Sequence, residues 1–325
     1  MNGSTPRLRS GQALLTAGGA LDIHKARGLT SHDVVLAVRR LLHIRAVGHL
    51  GTLDPIATGV LPLLVGSATR LQQFYRARRK RYQGRIRFGF ATDTYDADGH
   101  PLGDDTKPTL ALEQLTPHLA VLTGKFEQTP PPYSAKKVGG VAAHERARRR
   151  EKFTLKPVPV EVYRFELTRV EGSLADFIIE CAAGTYIRSL VHELGLRAGV
   201  GAHLAEICRT ASGEFTLEKS LTLEELERVV REERLPQVLM PLDELLPDLP
   251  QTVVSAALER KLRHGGKIEL SESQIQPGAP DLLLDSDAWK PFRLRVFNQE
   301  RRLVAIAQAI VPRVFQPIVV LPAPA

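Results

Sequence analysis

Cysteine is nearly missing from these 325 residues: only Cys181 and Cys208 occur. Two thiols cannot build a disulfide framework and lack the paired spacing of a zinc site, so both are read as reduced, in a cytoplasmic protein. Long apolar runs are missing too. A membrane helix needs about 18 or more nearly uninterrupted apolar residues, and the best stretch, 59–66, is far shorter and holds Pro62. Residues 13–20, behind Arg7 and Arg9, are broken by Thr16, Gly18 and Gly19. That is too poor a hydrophobic segment for a signal peptide, and 1–20 is expected to be a flexible lead-in. No internal repeat stands out. What remains is ordinary globular material, 43% hydrophobic and 25% charged, which excludes disordered and fibrous classes for the bulk of the chain.

The charge is unbalanced, with 44 Lys+Arg against 36 Asp+Glu and a net +8. The excess is clustered. One run holds Arg76, Arg78, Arg79, Lys80, Arg81, Arg85 and Arg87, with Tyr75, Tyr82 and Phe88 among them; a second holds Arg146, Arg148, Arg149, Arg150 and Lys152. Charge runs are commonly just solvated faces. Cations that neutralise phosphates beside rings that stack on bases point instead to nucleic acid.

Thr30 or Ser31 can cap a helix, with Asp33 completing a capping-box pattern, and Val34, Val35, Val38, Leu41 and Leu42 recur at helical spacing. Residues 48–69 carry four glycines and two prolines and are expected to form a loop. Alternation predicts strands over 82–90, 158–170 and 174–182, and a helix over 186–198. Residues 125–152, with Thr129-Pro-Pro-Pro-Tyr133 and Gly139-Gly140, read as an inserted mobile element. A polar, proline-punctuated stretch, 235–250, is expected to separate a tail with strand signals at 292–297, 303–311 and 317–321.

The most informative segment is Gly48-His49-Leu50-Gly51-Thr52-Leu53-Asp54-Pro55-Ile56-Ala57-Thr58-Gly59-Val60-Leu61-Pro62. Taken alone, it sets a carboxylate on a glycine-flanked loop with an imidazole nearby, suited to a nucleophile or a base. An Asp-Pro turn is equally a common structural device. A phosphate-cradling loop is the rival reading, and no Gly-Lys-Ser/Thr follows to support it.

This segment resembles the catalytic motif of the TruB family, the bacterial tRNA pseudouridine(55) synthases. Further matches follow in order: Gly28–Val35, Lys80-Arg81-Tyr82, Thr92–Gly99, Pro131–Lys137 and Gly184–Leu190. Together they span about 21–215. The resemblance implies an α+β pseudouridine synthase fold, a mixed and largely antiparallel sheet flanked by helices and loops, over 21–250, with an RNA-clamping insert at 126–152. The tail, 251–325, resembles a small β-rich RNA-binding domain of the PUA type in its position, in Gly265-Gly266-Lys267-Ile268 and in its closing strands.

The resemblance further implies an activity: isomerisation of a uridine in the TΨC loop of tRNA to pseudouridine, with no metal and no organic cofactor. Asp54 is then the essential carboxylate, attacking ribose C1′ or uracil C6. Tyr82 stacks on the extruded base and moves a proton, and Arg188 pairs with Asp54. His49 helps extrude the uridine, since chemistry on a stacked base is sterically blocked. Asp96 and Tyr186 surround the pocket, Ile207 supplies an apolar wall, and Lys25 lies near the entrance. Two departures stand out, His24-Lys25-Ala26 where the family has Asp-Lys-Pro, and Cys208 where it has an arginine. A monomer needing no protein partner is expected. The alternatives are a guide-RNA-dependent relative, against which Ala57-Thr58-Gly59 and the insert stand, and a non-catalytic tRNA-binding or folding module.

Overall fold

A computed structural model of the chain describes residues 18–75, 78–134, 136–149, 151–276 and 292–323. Most of the expected lead-in, together with Arg76 and Arg150 of the basic runs, lies outside the described residues. The centre is a ten-stranded sheet made of β1 (Gly19–Lys25), β2 (Val47–His49), β3 (Thr58–Val65), β4 (Lys80–Phe88), β5 (Gly124–Gln128), β6 (Val158–Glu171), β7 (Leu174–Cys181), β8 (Ala202–Ser212), β9 (Phe215–Thr216) and β10 (Met240–Pro241). Its order is β10-β1-β3-β8-β4-β7-β6-β5, with β2 beside β3 and β9 beside β8. Every pairing is antiparallel except β3 with β8. The fold is therefore α+β with a mixed, largely antiparallel sheet.

Helices α1 (Ser31–Leu42), α2 (Leu112–Val121), α4 (Ile187–Arg197) and α5 (Leu223–Arg231) contribute to the apolar core of this sheet, while the short α3 (Ala143–Arg148) lies in the insert. In α1 the Thr30 hydroxyl and the Asp33 carboxylate cap each other's backbone amides, and Val34, Val35, Val38 and Leu42 turn inward. The helix stops at His43, which takes a left-handed conformation. Among the described residues, no helix is long and apolar enough to cross a membrane.

Three expectations need correction. The glycine-rich stretch 48–69 is a loop only over 50–57; Thr58–Val65 is an inner strand, buried from Gly59 onward. A strand covered on both faces shows an unbroken apolar run rather than alternation. Pro62 is tolerated because it falls between the ladder to β2 at 63–65 and the ladder to β8 at 58–59, where no strand calls for the missing N–H and the carbonyl accepts from the Leu50 amide at 2.9 Å. The insert begins later than expected, because Gly124–Gln128 is an outer strand of the sheet paired with β6. Finally, 235–250 does not merely separate. Leu245 and Leu246 are fully buried, and Met240 pairs with Ala20 of β1.

The C-terminal part is a six-stranded sheet of β11 (Gln251–Val253), β12 (Ile268–Glu269), β13 (Ile275–Gln276), β14 (Arg293–Phe297), β15 (Leu303–Val311) and β16 (Val314–Val320), in the order β12-β16-β15-β14-β11-β13. Helix α6 (Ala256–Arg263) packs on it. Phe297, Leu303, Ile306 and Val319 share one apolar cluster with Leu50, Val60, Leu64, Leu71 and Phe74. The two sheets therefore meet through a continuous core.

Candidate active site

The 50–57 loop between β2 and β3 is held from beneath. Lys25 at the end of β1 is fully buried, and its ammonium donates to the carbonyls of Leu29 at 2.7 Å, Ala26 at 2.9 Å and Pro55 at 3.4 Å. Arg209 of β8, also fully buried, donates from Nε to Val60 O at 2.7 Å, and from its Nη atoms to Gly51 O at 3.1 Å and Thr52 O at 3.2 Å. The Ser31 hydroxyl accepts from the Leu53 amide at 2.8 Å and donates to the Leu53 carbonyl at 3.2 Å. A glycine is required where the loop enters β3. Gly59 has a φ of +96°, and a Cβ there would lie 2.3 Å from the Arg209 carbonyl.

On this support Asp54 presents a carboxylate that is 47% exposed, while Arg188 is almost fully buried below it. Arg188 Nε lies 2.9 Å from Asp54 Oδ2 but out of line for a hydrogen bond, so the attraction is that of an ion pair. The guanidinium is oriented by the carbonyls of Tyr133 at 2.9 Å and Thr94 at 3.0 Å, and lies 3.5 Å from Asp96 Oδ2. Asp96 accepts from the Thr94 hydroxyl at 2.6 Å and the Asp98 amide at 3.2 Å. Burial pushes its carboxyl above the usual range, against the Thr94 hydrogen bond and the Arg188 charge. Two carboxylates thus share one arginine, one facing the solvent side and one sealed behind it.

Asp54, Tyr82, Tyr186, Arg188 and Ile207 line a single cavity of about 170 Å³. Tyr82 is buried on β4 opposite Arg209, and burial raises its phenol, keeping it neutral. Tyr186 caps α4 with no side-chain cap bond of its own; the Gln128 amide instead accepts from its N–H at 2.8 Å and donates to its carbonyl at 3.1 Å. Three of the expected site residues do not line this cavity. Asp96 stands behind Arg188. Lys25, expected near the entrance, lies beneath the loop with its ammonium on backbone carbonyls, and burial lowers it to about 8. His49 ends β2, its Nδ1 accepting from the Gly51 amide at 3.3 Å and its pKa lowered by burial. Cys208 sits beside Gly59 and faces a separate surface cleft with Glu206 and Arg27, so the lost arginine is not a pocket residue.

Sequence reasoning missed Arg209, Gln128 and Lys80 as parts of the site. An arginine at a buried strand position opposite the motif, and a glutamine just before a proline run, were the available signals.

The model of the TruB family pseudouridylate synthase N-terminal domain matches residues 39–187, and that of the tRNA pseudouridylate synthase B C-terminal domain matches 188–247. The chain is 42% identical to a tRNA pseudouridine synthase B of Solibacter usitatus, covering 93% of this chain and 99% of that protein. It is 36% identical to the Bacillus licheniformis protein of the same name, covering 89% and 92%. Among solved structures, a Cbf5-Nop10-Gar1 complex matches with a TM-score of 0.72 at 24% identity, over 96% of this chain and 87% of that one. An H/ACA RNP bound to a substrate RNA matches with a TM-score of 0.71 at 22% identity, over the same shares. These two likenesses concern the fold. With two family models matched over 39–247 and similarity along nearly its whole length, the chain belongs to the TruB family of pseudouridylate synthases.

Proposed function

We propose that the enzyme converts the uridine at position 55, in the TΨC loop of tRNA, to pseudouridine, without metal, organic cofactor or guide RNA. The observation that carries this reading is the Asp54–Arg188 pair at the mouth of a cavity with room for one pyrimidine ring. The target uridine leaves the stack, because chemistry at C1′ is blocked inside it. Tyr82 then lies against one face of the base, and Ile207 supplies apolar wall. Asp54, paired with Arg188, attacks the nucleoside as the C1′–N1 bond breaks. The released base turns, C5 bonds to C1′, Asp54 is freed, and the C5 proton is replaced by one on N1. One glycosidic bond is exchanged for another, so no external energy source is needed.

Labour is divided along the chain. The unit 21–250 carries the chemistry, the insert, which begins after Gln128 and runs to 152, grips the arm through its basic residues, and the PUA-like tail 251–325 holds more distant RNA. The enzyme works as a cytoplasmic monomer. The test is an unmodified tRNA transcript incubated with enzyme alone and mapped for pseudouridine. Modification confined to U55 is expected. Modification elsewhere, or a requirement for added RNA or protein, would contradict the reading.

A further inference from the structure

Lys80 lines the same cavity as Asp54 and has no counter-ion among the described residues. It begins β4 on the same face as Tyr82, two residues on, in register with Cys181 of β7 and Ser212 of β8. Its Nζ lies beside the motif loop, 2.9 Å from where a Cβ on Gly51 would stand. Among the described residues it makes no ion pair and no hydrogen bond. The groups that act on it are the Arg209 guanidinium, the Cys181 thiol and, more weakly, the His49 ring, with Asp54 and Arg188 across the cavity. None supplies a matched negative charge. Arg209 is a second cation, burial pushes the Cys181 thiol up to about 11 so that it stays neutral, and the Asp54 charge is engaged by Arg188.

An uncompensated ammonium in a partly desolvated pocket is costly until an anion reaches it. The proposed reaction makes one inside the cavity. When C1′–N1 breaks, its electron pair stays with the base, giving a uracil anion whose charge is shared by N1, O2 and O4. We propose that Lys80 is the cation that receives this anion, donating a hydrogen bond to one exocyclic oxygen while the base is detached. Turning the ring about its N3–C6 axis exchanges N1 with C5 and O2 with O4. A donor fixed at one oxygen position is therefore satisfied before and after the turn. No proton is lost to the lysine: the anion attacks C1′ through C5, Asp54 departs, and the C5 hydrogen is exchanged for one on N1. Burial and Arg209 lower the ammonium to about 8, so the cation is available at neutral pH and disappears just above it.

This inference rests on the reaction proposed above. Single-turnover rates on the tRNA transcript are measured from pH 6 to 10 for wild type, Lys80→Met and Lys80→Arg, together with the tRNA dissociation constant of each. Removing one such donor costs about 10²–10³ in rate. That loss is expected for Lys80→Met, with tRNA affinity within about threefold of wild type. The wild-type rate falls above about pH 8, and Lys80→Arg moves that fall to higher pH. A Lys80→Met rate within threefold of wild type overturns the inference. So does weakened tRNA binding at an unchanged rate, which would make Lys80 a phosphate contact. A Lys80→Met enzyme that keeps the wild-type alkaline fall also overturns it, by assigning the fall to another group. A wild type that leaves the transcript unmodified would overturn the substrate reading and the lysine's role together, whereas an active wild type with an equally active Lys80→Met overturns the lysine's role alone.

Discussion

At the scale of single residues, the site is built around one buried cation between two acidic side chains. Arg188 is the centre, holding Asp54 on the open side and Asp96 on the sealed side. Replacing Asp96 by Asn keeps the Thr94 contact and removes one anchor of the guanidinium. We expect kcat to fall about 10- to 100-fold with little change in KM, because orientation rather than substrate binding is lost. Steady-state kinetics on transcript tRNA check this, and a change confined to KM would contradict it.

Asp22 is a different kind of residue. It is a carboxylate on β1 opposite Pro62, and among the described residues neither of its oxygens completes a hydrogen bond. Burial pushes it up to about 7 against the pull of the Thr216 backbone, Arg209 and Lys219. A carboxyl raised on folding stabilises the protein at low pH, and that contribution is lost as pH rises through its folded value. Between about pH 4 and 7 the native state therefore loses stability from this group. Asp22→Asn should raise stability at pH 8 by about 1–3 kcal/mol and by progressively less at lower pH. Thermal melts at pH 5 and pH 8 test it, and an equal shift at both would contradict the assignment.

At the scale of elements, the decisive feature is a loop held by side chains from three elements. Lys25 from β1, Ser31 from α1 and Arg209 from β8 hold the backbone of 50–57 through the carbonyls of Pro55, Leu53, Thr52 and Gly51. Arg209→Met leaves the carbonyls of Gly51, Thr52 and Val60 without their donor. A loss of about 2–4 kcal/mol is expected from unpaired buried groups, visible as a lower urea midpoint. Gln128 does similar work for α4, bracketing the Tyr186 peptide from the last residue of β5.

These supports explain what was legible in the sequence. The cap and inward face of α1 follow local rules, so Thr30, Asp33 and the valines were readable. Asp54, Tyr82 and Arg188 stand in ordered motifs. Strand β3 was hidden because glycine and proline normally end strands, and only its two neighbouring ladders show why Pro62 fits there. The expectation of Lys25 near the entrance fails because its burial depends on β3, β1 and the loop closing around it. Arg209 carries no local signal of its role, and only the β3–β8 register, which sets it against Gly59, and the β4–β8 register, which sets it opposite Tyr82, show it.

At the scale of the whole molecule, two sheets share a core, and basic runs lie on β4 and in the insert. Leu303, Ile306 and Val319 of the C-terminal sheet complete a cluster with Leu64, Leu71 and Phe74. Deleting 251–325 would expose that face, and each buried side chain of this size contributes about 1.5–3 kcal/mol. The truncated chain should therefore melt well below the full one rather than behave as an independent catalytic unit. Binding of tRNA should weaken steeply with salt, with a slope set by the number of phosphates neutralised. A flat salt response would contradict a backbone grip by the basic residues.

The central claim is that Asp54, held by Arg188 over the cavity, performs the chemistry on a tRNA uridine. The most direct test is pseudouridine formation at U55 of an unmodified transcript under single-turnover conditions, comparing wild type with Asp54→Asn at saturating, equal occupancy of tRNA. The account predicts full conversion by wild type and none by the variant, with both binding the transcript alike. Conversion by Asp54→Asn, or tight binding by wild type without any pseudouridine, would contradict it.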